Sequence, residues 1–87
     1  MYFVYILYSD KIDKYYTGST NELETRLKHH NGGHTVSTKS GSPNWRIVYT
    51  ETLPGRTAAL KREKEIKNKK SRKYIEWLIH SRIESCN

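Results

Sequence analysis

Eighty-seven residues suffice for one domain with one modest core, since about 60 to 65 per cent of the surface is buried at this size, and exclude a second folded domain. A formal charge of +7 and a pI of about 9.6 point to an anionic partner, nucleic acid first, because charge on this scale governs partners and solubility rather than fold. Cys86, the sole cysteine, rules out a disulfide framework or a CxxC zinc site and suits a reducing cytoplasm, while the apolar run Tyr2 to Leu7 is too short for a membrane span or an export signal.

Tyr2 to Tyr8 is apolar or aromatic at every position, the pattern of a central strand covered on both faces. Ser9 to Asp13 reads as a turn and Lys14 to Ser19 as the returning strand of a hairpin, which places Tyr5 and Tyr16 on neighbouring strands. Ser19, Thr20 and Asn21 are N-cap types, and Ser19-x-x-Glu22 and Asn21-x-x-Glu24 both fit a capping box, so a first helix is expected here. Its stripe is Leu23, Leu27 and His30, and Asn31-Gly32-Gly33 ends it after about three turns. Gly32 to Asn44 reads as a loop near the length above which loops are usually functional or disordered, and Lys39 suits a flap touching a phosphate backbone.

Trp45 to Leu53 alternates Trp45, Ile47 and Tyr49 against Arg46, Val48 and Thr50, a third strand stopped by Pro54-Gly55. Thr57 is the expected cap of a helix over Ala58 to about Lys70. Ser71 is the expected cap of a last one, with Ile75, Leu78 and Ile79 as its stripe and Trp77 beside it. The class is α+β in the order β-β-α-β-α-α, a three-stranded, mainly antiparallel sheet flanked by helices. It forms a single domain over residues 1–87 with its core in about residues 2–80.

Eight of the sixteen basic residues fall between Lys61 and Lys73, against Glu63 and Glu65 alone. Such a run is either a solvated helix face or a surface that tracks phosphates. Eight cations over about 20 Å of helix match a duplex carrying one charge per about 1.7 Å. Lys39, Lys61, Arg62, Lys64, Lys67, Lys69 and Lys70 are the candidate nucleic-acid contacts. Glu63 borders the face of Ala59, Leu60 and Ile66 that turns toward the sheet, so its carboxylate needs a partner: an Arg or Lys in an ion pair, or a divalent cation.

Tyr5 and Tyr16 taken singly are ordinary strand residues, and Arg26 shares a helix face with His30 where the two can line a cleft. Phosphodiester hydrolysis needs a cation beside the anionic oxygens and a group to handle the proton of water, which this set supplies. His29, His30 and His34 have no cysteine or second cluster beside them, and surface or phosphate-contacting roles fit them better than zinc.

With these residues in order, the chain resembles a small stand-alone member of the GIY-YIG nuclease superfamily and is similar to the N-terminal domain of the excision-repair nuclease. Phe3-Val4-Tyr5 stands in the place of the first motif and Tyr16-Thr17-Gly18 in that of the second, followed by Arg26, His30, the Trp45 to Glu51 strand and Arg62-Glu63. Phe3 replaces a Gly of the literal motif, Thr17 replaces an Ile, and Ser19 stands where the excision-repair branch has a lysine. The resemblance implies hydrolysis of a DNA phosphodiester with one divalent ion, Mg²⁺ or Mn²⁺, held by Glu63. It implies that Arg26 neutralises the phosphoryl oxygens, that one of Tyr5 and Tyr16 positions or deprotonates water while the other binds phosphate, and that His30 shares the proton. Larger relatives carry a separate DNA-binding domain, so specificity here is expected from the nuclease domain itself, a homodimer or a partner protein. RNA stays open as the polyanion, a membrane is not expected, and a non-catalytic nucleic-acid-binding module that keeps the fold and the basic helix is the competing reading.

Overall fold

A computed structural model describes residues 1–85 of the chain, with side chains through residue 81; Cys86 lies outside the described residues. The hairpin forms as its turn residues dictate, with β1 at Tyr2–Ser9 and β2 at Lys14–Thr20 pairing antiparallel, and Asp13 adopting a left-handed φ of 52° at the corner. β3 at Trp45–Leu53 joins the other side of β1, also antiparallel, giving the order β2-β1-β3. β1 is therefore central and apolar throughout, with Val4, Ile6 and Leu7 at 0% exposure, while β2 keeps one free edge.

The two faces of this sheet carry separate cores. Val4, Ile6 and Tyr49 pack under Ala59, Ile66 and Leu78, the inner residues of α2 (Arg56–Lys69) and α3 (Arg72–Ser85). Tyr5, Leu7 and Trp45 pack on the other face with Leu23 and Leu27 of α1 (Leu23–Asn31). The α+β class and the order β-β-α-β-α-α expected from the pattern are what the chain adopts.

Several local expectations are corrected. Strict alternation along β3 breaks because the β1–β3 register shifts between Ile6 and Leu7: Ile6 faces Tyr49, Leu7 faces Ile47, and Val48 is the extra residue of a bulge. Trp45 and Ile47 consequently join the α1 core and Tyr49 the opposite one. Neither capping box forms at α1, whose N-cap is Glu22 without a side-chain bond. Ser19 and Thr20 are still paired in β2, opposite Val4 and Phe3, and the Thr20 hydroxyl accepts from the Glu22 N–H at 3.1 Å instead. Thr57 lies inside the first turn of α2, whose N-cap is Gly55, whereas Ser71 caps α3 as expected by accepting from the Tyr74 N–H at 3.2 Å. The segment expected as a loop contains a 3₁₀ helix, Val36–Gly41, with Thr38 fully buried.

Candidate active site

Tyr5 sits on central β1 directly opposite Gly18 of β2, and its ring lies across that glycine. A Cβ at Gly18 would stand 2.5 Å from the Tyr5 hydroxyl oxygen and 3.2 Å from the Tyr16 ring, so only glycine lets the two phenols meet over β2. The Tyr5 hydroxyl is 3.0 Å from His30 Nε2, and His30 Nδ1 is 2.7 Å from Thr38 Oγ1. Tyr5, His30 and Thr38 are 3%, 1% and 0% exposed, so this is a dry chain of three polar groups, each satisfied by the next.

Local sequence fixes the chain at both ends. Asn31, read as a helix terminator, clamps the end of α1 to β3 by donating from Nδ2 to the Trp45 carbonyl at 2.9 Å and accepting the Trp45 N–H at 2.7 Å. Trp45 Nε1 donates to the Thr38 carbonyl at 2.7 Å, which pins the 3₁₀ helix over His30. In the tautomer where the Thr38 hydroxyl donates to the Thr35 carbonyl at 3.4 Å, its lone pair accepts an Nδ1–H from His30. That tautomer makes Nε2 the acceptor and Tyr5 the donor.

Electrostatics keep every member neutral. Burial, then Arg26 and His29, lower the His30 pKa from 6.5 to about 4. Burial, with Tyr16 and Glu63 adding to it and Arg26 opposing it, pushes the Tyr5 phenol well above its ordinary range. The Tyr16 ring lies 5.0 Å from that of His30, and Arg26 lines one pocket with Ser19, whose hydroxyl bonds Glu63, so the five residues singled out from the sequence lie around the β2 edge.

Glu63 reaches this cluster from α2, on the opposite face, around the free edge of β2. The Ser19 hydroxyl donates to its Oε1 at 2.6 Å, and Lys67, one turn on, donates to Oε2 at 2.7 Å while lying 5.5 Å above the Tyr16 ring. Ser19, which stands where the excision-repair branch has a lysine, is thus a carboxylate partner. For the divalent ion expected at Glu63 the donor set fits: one carboxylate at 17% exposure beside a hydroxyl suits a hard cation that keeps several waters, and such an ion would take the place of the Lys67 ammonium at Oε2. Among the described residues no three His, Cys, Asp or Glu side chains gather, and the rings of His29 and His34 are 5.2 Å apart.

The basic residues divide. Lys39, Lys61, Lys64, Lys69 and Lys70 are exposed. Arg62 is instead held in a two-pronged pair with Glu51 at 2.9 Å, and Glu51 also accepts from Tyr49, so this cation is committed to the fold. Sequence reasoning missed Thr38, Gly18 and the Ser19 bond. The glycine of the second triplet was the available signal for Gly18; Thr38 sits among other Ser and Thr with nothing to mark it.

Comparison with known proteins gives the family and the fold. The GIY-YIG catalytic domain family matches residues 1–75. A UPF0213 protein of Haloquadratum walsbyi is 36% identical over 67 residues, 77% of this chain and 74% of its own. One of Clostridium perfringens is 40% identical over 67 residues, 77% of this chain and 71% of its own. The solution NMR structure of a UPF0213 protein from Bacillus halodurans superposes with a TM-score of 0.56 at 32% identity, covering 92% of this chain and 84% of that one.

Proposed function

Since the chain belongs to the GIY-YIG catalytic domain family, a family of nucleases, we propose that it is a metal-dependent endonuclease that hydrolyses a phosphodiester bond in DNA. The observation that carries the reading is the buried chain Tyr5, His30, Thr38, which ends at the cluster of Tyr16, Arg26 and Glu63. A phenol this hard to ionise is a poor base on its own. Its proton, however, already points at a neutral imidazole, so the Tyr5 oxygen accepts a proton from the attacking water as its own passes to His30 Nε2. Thr38 then accepts from the imidazolium Nδ1–H. Arg26, exposed at the mouth, neutralises charge on the phosphoryl oxygens, and Tyr16 hydrogen-bonds the phosphate. Glu63 would hold a Mg²⁺ or Mn²⁺ ion, whose chemistry when bound is Lewis-acid polarisation of the scissile phosphate.

A role in repair or processing of branched DNA in the cytoplasm is the biological form of this reading. The Lys67–Glu63 pair favours one alternative, a binding module in which Glu63 is structural. Cleavage of single-stranded, duplex, flap and junction DNA with and without Mg²⁺ or Mn²⁺ separates them. The nuclease reading expects metal-dependent cutting that Glu63→Gln abolishes; cutting that survives in Glu63→Gln, or binding with no cutting of any substrate, contradicts it.

A further inference from the structure

Beside the active site, on the α2 and α3 side of the β2 edge, lies a cavity of about 420 Å³ that the site's chemistry leaves unused. It opens where the chain turns from α2 into α3 at Lys70, a non-glycine residue with a left-handed φ of 48°. Tyr16, Ile66 and Ile75 supply apolar wall, and Lys14, Lys67 and Lys70 supply cations; among the described residues no carboxylate lines it. Arg72 also lines it but is committed to Asp13 at 2.8 Å and Glu76 at 3.3 Å, and Lys67 to Glu63, so Lys14 and Lys70 carry the positive potential there.

One aromatic face, Tyr16, beside apolar Ile66 and Ile75 with cations at the rim suits one nucleoside with phosphates on either side of it, and the volume falls in the range of about 300 to 1,000 Å³ usual for bound small molecules. Two of the lining residues belong to the active site as well: Tyr16, and Lys67 through its bond to Glu63. A strand held at Tyr16 therefore runs past the cavity.

We propose that this cavity is a nucleotide subsite, taking an unstacked nucleoside next to the phosphate being cut and selecting DNA in which that base is unpaired. The proposal rests on the nuclease reading for which phosphate is cut, and on the cavity alone for the preference. In a duplex the base stays in its stack and cannot enter, so the unstacking cost falls least on single strands, flaps and gaps.

The test is fluorescence anisotropy in metal-free buffer with a 12-nucleotide single-stranded DNA and the matching blunt duplex, on wild type and the Lys14→Gln, Lys70→Asn double variant, sizes being of roughly the scale one such site covers. Asn tolerates left-handed backbone better than Lys, so removal of the charge is not confounded with misfolding, and Ile75→Phe fills the cavity with no change of charge. The expected result is single-strand binding about tenfold tighter than duplex, with that margin lost in both the double variant and Ile75→Phe. Equal affinity for the two DNAs, no binding of either, or a double variant that weakens both equally overturns the subsite. A wild type that binds with this preference but never cleaves refutes the nuclease reading and leaves the subsite standing; cleavage with no such preference does the reverse.

Discussion

The two sides of the β2 edge solve different problems. On the α1 side, Tyr5, His30 and Thr38 are buried, neutral and fixed by hydrogen bonds to one another and to the 3₁₀ helix. On the α2 side, Glu63 and Lys67 are charged and partly exposed, with a hydroxyl from Ser19 and the Tyr16 ring beside them. A proton moves well through groups that are dry and preorganised, whereas phosphate and metal must enter and leave through groups that water can reach. Placing both at the free edge of a short strand lets one substrate phosphate touch both.

That contrast breaks most visibly with substitutions. Glu63→Gln should lower cleavage on the order of a thousandfold while changing unfolding free energy by about 1 kcal/mol or less, because Gln can still accept from Ser19 and the Lys67 end of the lost ion pair is open to water. Arg26→Ala should cost about a hundredfold in rate with the melting temperature unchanged, its side chain being exposed. A large loss of stability in either variant would mean that the charged side is structural. On the dry side the two readouts should move together: Gly18→Ala forces Cβ into the Tyr5 ring and should cost about 1 to 3 kcal/mol along with most activity. Thr38→Val should cost about 1 to 3 kcal/mol by stranding His30 Nδ1, and about tenfold in rate, read by denaturant melts beside single-turnover kinetics. pH gives a further readout of the dry side. His30 folds with its pKa lowered from 6.5 to about 4, so the unfolded chain binds the proton more readily and stability present above pH 6.5 is lost as pH falls toward 4. Melting temperatures across that window should fall in wild type and fall less in His30→Asn.

How much of this was legible in the sequence follows the same division. Strands, helices and their order came from local patterns, hydrophobic period and turn residues, and so did the placing of Tyr5, Tyr16, Arg26 and Glu63 along the chain. What local pattern does not hold is pairing at a distance. Val48 becomes a bulge because of its position opposite Ile6 and Leu7. Ser19 looks like a helix cap until β2 extends past it and Glu63 claims its hydroxyl. Thr38 is one polar residue in a polar segment, and its burial is decided by His30 and Trp45 closing on it from α1 and β3. Arg62 reads as one more cation of a basic helix because Glu51 lies eleven residues away on another element.

The central claim is that the water's proton leaves through a neutral Tyr5–His30 pair rather than through an ionised phenol. A single-turnover pH–rate profile at saturating Mg²⁺ tests it directly. With His30 neutral down to about pH 4, the account predicts a rate that is level from roughly pH 6 to 9. A rate that climbs about tenfold per pH unit across that range would mean that Tyr5 must ionise first, and would contradict it.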